Sequence, residues 1–217
     1  MATKKKARTP PDLDLDQLTE NLLGQLADGQ ASDATATNAL LPALISPRGQ
    51  PARIDRCLLR TVSLSNLKAQ RLHLHDSRIE SSDLANLDLA GGSLERVEIV
   101  ATRLTGATFT EAQLKSVLFE ECKLDFALFR MARLEQSVFE RCNLSDADFY
   151  ATDLSGTVFR NCDLSRADLS LAKLAGTDIR GCRLDDLRGR PAEMDGLIIS
   201  PDQAPLLITL FGVRVEW

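Results

Sequence analysis

Four cysteines at a strict interval of twenty, Cys122, Cys142, Cys162 and Cys182, are the first residues in this sequence that could do chemistry. Four thiols invite a zinc reading, but structural zinc needs tetrahedral convergence from short, hairpin-like spacings, which an even interval of twenty does not supply. A second group is His73, His75 and Asp76, types suited to acid–base work or metal ligation. Spacing places no serine or cysteine nucleophile beside them, and the chain has no glycine-rich phosphate loop. No catalytic, cofactor-binding or metal residue is therefore assigned, no cofactor is expected, and the chain is expected not to be an enzyme.

The elements that position these residues follow from a period of five. Every fifth residue from Ile54 to Ile199 gives 30 positions, and 28 are Leu, Ile, Phe or Met; only Ala69 and Gly189 depart. Two residues before each, in the stretch Cys122 to Asp186, stands a small one: Cys122, Ala127, Ala132, Ser137, Cys142, Ala147 and onward to Cys182. Neither the 3.6 period of a helix nor the 2 period of a strand produces this, and a strict short repeat marks a solenoid. Repeats such as Ala147-Asp148-Phe149-Tyr150-Ala151 and Ala167-Asp168-Leu169-Ser170-Leu171 carry a resemblance to the pentapeptide-repeat family. That resemblance implies an all-β solenoid, a right-handed four-sided β-helix with one pentapeptide per side and twenty residues per coil. The large central residue and the small residue two before it then point inward.

On a twenty-residue coil, Phe109, Phe129 and Phe149 share one side and Phe119, Phe139 and Phe159 the opposite one, with leucine between. The four cysteines become an inward stack at steps of ~4.8 Å, which does not converge on one point. Neighbouring thiols are within disulfide reach, but a reducing compartment argues against bonding, and free cysteine packs as a small hydrophobe. Outward on the Phe119 side, Leu118, Val138 and Val158 stand twenty apart, edged by Glu98, Glu120, Glu121 and Glu140. This apolar column is a candidate partner surface, against the alternative that it is only β-propensity on an exposed sheet.

The ends read differently. Residues 1–50 are expected as a tail, an amphipathic helix over Asp12–Asp28 (Leu15, Leu18, Leu22 and Leu26) and a polar linker at 30–37; residues 51–200 as the repeat body; residues 201–217 as a C-terminal cap. Asp202 is expected to cap a short helix that places Pro205 in its first turn and ends at Gly212, before a strand Val213–Trp217. That segment is apolar on more than one side, so Leu206, Leu207, Ile208, Leu210, Phe211, Val213, Val215 and Trp217 are the expected interface of a tail-to-tail homodimer.

The chain has 217 residues and a net charge of -5, with aromatics at only 5%. It has no apolar run of membrane length and no secretory signal, so the expected address is the cytoplasm, with no membrane partner. Residues 51–190 hold 20 Lys/Arg against 21 Asp/Glu, and direct nucleic-acid binding is not expected. The ending Ile199-Ser200-Pro201-Asp202-Gln203-Ala204 with Gly212-Val213 resembles the close of the Qnr and MfpA fluoroquinolone-resistance proteins. This second resemblance implies a dimer whose rod mimics DNA and occupies DNA gyrase or another topoisomerase. Mimicry requires carboxylates where phosphates would lie, and a near-neutral body opposes it. The favoured reading is a non-enzymatic interaction scaffold of unknown partner; the alternative is a DNA-mimicking gyrase binder conferring fluoroquinolone protection.

Overall fold

The computed structural model describes residues 8–14, 18, 20, 25, 30–37, 51–209 and 212–213. It is a four-sided parallel β-solenoid in which every fifth residue turns inward. The first face is centred on Ile54, Leu74, Leu94, Leu114, Leu134 and Leu154; the second on Leu59, Ile79, Ile99, Phe119, Phe139 and Phe159. The third runs from Leu64 through Leu124 to Leu184, and the fourth holds Ala69, Leu89, Phe109, Phe129, Phe149 and Leu169. All of these are buried. Faces one and two form sheets of six and seven short parallel strands, and faces three and four are joined by isolated bridges. Within the repeat body the register is constant at twenty, from Arg53↔His73 to Asp178↔Ile198.

From Arg56 to Asp186 each corner residue, two after the central one, takes a left-handed backbone: Arg56, Thr61, Asn66 and Arg71 in the first coil, with φ between 47 and 62°. A left-handed L-residue costs roughly 1–2 kcal/mol. The corner N–H offsets this by reaching the next coil, as Arg96 N–H reaches Lys115 O at 2.9 Å.

The interior is filled as the spacing predicts. Rings within each phenylalanine column lie 4.7–4.9 Å apart and nearly parallel. Between columns they meet edge to face at 5.8–6.5 Å. The small inward residues bond backwards to carbonyls: Thr152 Oγ1 donates to Phe129 O at 2.6 Å, and the Cys142 thiol to Phe119 O at 3.4 Å. All five cysteines are buried and free. The preceding thiol of the stack, together with burial, pushes each of Cys142 and Cys162 up to about 12. They pack as core and are not poised as nucleophiles or zinc ligands.

The N-terminal segment departs from expectation. Gln30–Ser32 and Thr35–Thr37, expected as polar linker, are strands that start the two sheets, with Ala31 in register with Ile54 and Ala36 with Leu59. The interval here is twenty-three and alanine replaces leucine, so the frame of five does not reveal them. Asp12–Asp14, expected to open a helix, is not helical; the Asp12 amide is bound to Asp76 Oδ1 at 2.8 Å. Gln25 is helical, and the rest of the expected helix, apart from Leu18 and Glu20, lies outside the described residues.

At the other end the frame passes through a 3₁₀ turn at Pro191–Glu193 without changing register. Gly189 has no side chain to give the core, and Met194 Cε lies 2.6 Å from where its Cβ would stand. The C-terminal helix starts earlier than expected: Ser200, not Asp202, caps a 3₁₀ turn at Pro201–Gln203 that runs into the helix Ala204–Ile208. Gln203 is buried. Its amide donates to Ile179 O at 2.9 Å and Cys182 O at 2.8 Å, while its oxygen accepts from Ser200 N at 2.9 Å. The side chain thereby meets the Cys182 carbonyl, which the last coil would leave open, and adds a second donor to the Ile179 carbonyl, which already accepts from Cys182 N–H at 3.1 Å. Among the described residues, no helix is long and apolar enough to cross a membrane.

Candidate functional site

The second face brings the candidate residues together. Leu118, Val138 and Val158 pair in register on adjacent strands, Glu98 precedes them in the same column, and Glu120 stands beside Glu140. The apolar column is half-buried and floors an open groove of about 530 Å³. Glu135, Gln136, Glu140 and Arg160 flank the groove, and Arg8 closes one end.

The carboxylates are not presented singly. One guanidinium, that of Arg141, contacts Glu120, Glu121 and Glu140 at once, lying 3.1 Å from Glu121. Glu98 pairs with Arg78 at 2.6 Å and with Arg8 at 2.8 Å. Glu80 pairs with Arg60 and Arg78. Burial works against charge on Glu80, yet these two guanidiniums hold its carboxyl below the usual range. A total of charges does not show this pairing; the interval of twenty does, setting Arg141 above Glu121. Arg8 carries no such signal.

The histidines sit on the first face. His75 Nδ1 lies 2.8 Å from Asp55 Oδ1 and 3.1 Å from Asp76 Oδ2, and Arg96 Nη2 meets its Nε2. A guanidinium can only donate, so Nε2 accepts and Nδ1 carries the proton. Asp55, His75 and Asp76 are close enough to share a cation, with ligand atoms within 4.8 Å. Arg96 already takes both oxygens of Asp76 at 2.6 Å, and Arg56 takes Asp55 at 2.7 Å. The cluster is a balanced charge network, and His73 is not within it.

Apolar exposure occurs in two further places. Phe126, Leu128, Met131 and Leu171 stand out on the fourth face and its corners, opposite the groove. At the C-terminal end Leu206, Ile208 and Val213 are exposed, whereas Leu207 is buried in its own chain and is not available to a partner. Leu210, Phe211, Val215 and Trp217 lie outside the described residues.

Comparison with known proteins addresses the whole rod. The family model described as "Pentapeptide repeat region" matches residues 52–129 and 116–188. Comparison with curated proteins finds no match. Among solved structures, a trypsin-treated form of QnrB1, a plasmid-mediated fluoroquinolone resistance protein, aligns with TM-score 0.66 and 20% identity, covering 88% of this chain and 93% of that one. HetL, a pentapeptide repeat protein involved in heterocyst differentiation regulation in the cyanobacterium Nostoc, aligns over 78% of this chain and 89% of its own at 19% identity, with TM-score 0.37. The first is a likeness of fold; the second adds nothing to it.

Proposed function

The chain belongs to the pentapeptide-repeat family, and from that premise we propose that it is a non-enzymatic interaction scaffold whose partner binds the second face. The observation that supports this is the groove floored by Leu118, Val138 and Val158: an apolar strip on an otherwise polar face, long enough for an extended segment and rimmed by charge. A partner suited to it carries small apolar residues next to basic ones. The exposed Leu206, Ile208 and Val213 support a second copy as a further partner at the C-terminal end.

DNA mimicry is the weaker reading. It needs unneutralised carboxylates along one side, and on the groove face Glu80, Glu98, Glu120, Glu121 and Glu140 are each met by arginine. The fold likeness to a fluoroquinolone-resistance protein motivates the direct test. Affinity capture with the wild-type chain and with Val138→Glu should give one defined partner that the variant loses; identical capture by both counts against the groove. Inhibition of gyrase supercoiling by the purified protein, or relief of its quinolone block, would instead favour mimicry. For the C-terminal contact, Leu206→Glu with Ile208→Glu should halve the mass seen by light scattering, and an unchanged mass would count against it.

A further inference from the structure

Along the first face, Gln30, Arg53, His73, Ser93, Gln113 and Arg133 form one outward column, in register on successive strands. Two residues later on the same strands runs a second column that includes Asp55, His75, Glu95 and Lys115. The two use their polar groups differently. In the second column Asp55 is held by Arg56 at 2.7 Å and by His75 at 2.8 Å, and Glu95 by Lys115 at 2.7 Å. In the first, the side chains of Gln30, Arg53, His73 and Ser93 have no hydrogen-bond or ion-pair partner among the described residues.

An open groove of about 690 Å³ lies over both columns at the N-terminal end of the rod, and Gln25 also lines it. Gln25 Oε1 accepts from Ser32 N–H at 2.6 Å. That bond needs the oxygen, so the N–H groups of the amide are what Gln25 has left to offer. His73 carries a ring N–H whether neutral or charged, and Gln30 and Ser93 can donate as well. The unspent groups of the groove are thus donors, and Arg53 lines it as a cation that no carboxylate meets. Asp55 and Glu95, on the other column, are already matched by Arg56 and Lys115.

Such a wall suits a ligand that brings negative charge and several acceptors. A phosphate monoester has three strong acceptor oxygens, enough to take a guanidinium, an imidazole and an amide together, whereas a carboxylate has two. Arg53 and His73 stand one strand step apart, ~4.8 Å, within reach of one such group. The volume falls in the range of small-molecule sites, so the body that carries the phosphate has room. We propose that this groove binds a phosphate monoester, its oxygens accepting from Arg53 and His73, with Gln25, Gln30 and Ser93 around them. The site is on the first face and does not rest on a partner at the second.

The test titrates inorganic phosphate, a phosphoserine peptide and its unphosphorylated form separately into the isotope-labelled full chain. The His73 ring and Ser93 amide signals should move saturably with both phosphate compounds and stay still with the unphosphorylated peptide, while Gln136, in the second-face groove, stays still throughout. Arg53→Gln should weaken binding about tenfold or more, the worth of a hydrogen bond to a charged group. Arg133→Gln removes an exposed guanidinium of the same column that lies outside the groove, and should leave the affinity unchanged. Neither arginine has a partner among the described residues, so both variants should melt like the wild type, which separates lost binding from lost fold. Tighter binding of the phosphopeptide than of inorganic phosphate would support the site with a partner protein as the source of the phosphate, and equal binding would support it with a small molecule. Shifts that do not saturate, or equal weakening by the two variants, would overturn the proposal, because the attraction would then be diffuse.

Discussion

The guanidinium of Arg141 stands 3.1 Å from the carboxylate of Glu121, one coil before it in the same corner column. The same relation recurs at Arg166–Asp146 (2.7 Å), Lys115–Glu95 (2.7 Å) and Arg78–Glu98 (2.6 Å). A register of twenty sets residues i and i+20 one strand spacing apart, close enough for ion pairing. Where like charges stack at that interval, as Glu120 on Glu140, the guanidinium of Arg141 bridges them, so much of the rod's near neutrality is local. Reversing one member tests this. Arg141→Glu places a fourth carboxylate beside Glu120, Glu121 and Glu140, and should lower the urea midpoint modestly at low salt, with recovery as salt is added. A midpoint independent of salt would show that the triad does not interact in solution.

Acid should undo the same pairs. The Arg56 guanidinium and the Ser32 hydroxyl hold Asp33 at about 2, against an ordinary 3.8. Arg166 beside Asp146 and Lys115 beside Glu95 also depress those carboxyls. Asp76 is lowered too: burial opposes its charge, but bonds from Arg96 and the Asp12 amide outweigh it. A folded-state value below the unfolded one gives stability that is present above the unfolded value and lost as pH falls toward the folded one. The expected melting temperature is flat from pH 7 to about 5 and falls steeply between about 4 and 2. A melting temperature unchanged down to about pH 2 would show that these carboxylates do not contribute through their pairs.

Phe129 stacks on Phe109 and Phe149 and meets Phe119 and Phe139 edge to face. Removing it leaves a void with rigid rings on every side. Phe129→Ala should cost about 3–5 kcal/mol in chemical denaturation. Phe159, the last ring of its column, meets two rings among the described residues, Phe139 and Phe149. Phe159→Ala should cost less, and equal losses would show that the columns do not act as stacked units.

The buried thiols give a simple check on the interior. Cys142 and Cys162, pushed up to about 12, hold almost no thiolate at neutral pH, and burial shields all five thiols, Cys122 included, which the neighbouring Cys142 thiol draws down. A thiol-titrating reagent should find no reactive cysteine in the native chain and five after unfolding. Early reaction of any one would mark a coil that opens locally.

The inward half of this fold was legible because each central position is constrained by one requirement, filling a narrow tube, so Phe129 or Leu124 declares itself by type and spacing. Residues 30–37 escaped because the interval to the next coil is twenty-three and the central residues are alanines, which carry no size signal. The groove column Leu118–Val138–Val158 was visible at the same interval of twenty. Its setting was not: Arg8 reaches Glu98 across ninety positions by a contact with no period, and Arg141 has meaning only through the carboxylates stacked around it. Outward residues answer to solvent and partners, which impose no repeat.

Gln203 closes the C-terminal end with a buried amide that donates to Ile179 O and Cys182 O and accepts from Ser200 N–H and its hydroxyl. Gln203→Leu keeps the size but strands the Cys182 carbonyl and the Ser200 N–H, while Ile179 O keeps its bond from Cys182 N–H; each group left unsatisfied costs about 1–3 kcal/mol. Gln203→Glu keeps the acceptor and turns the donor into a second oxygen facing two carbonyl oxygens. That carboxylate is favoured only when protonated, so its folded-state value lies above its unfolded one. Its cost relative to Gln203→Leu should be largest at neutral pH and shrink as pH falls through that raised value. The measurement is the difference in melting temperature between the two variants at each pH, in which the acid sensitivity of the surface pairs cancels. A difference that does not change with pH would mean that Gln203 does not hold those carbonyls in solution.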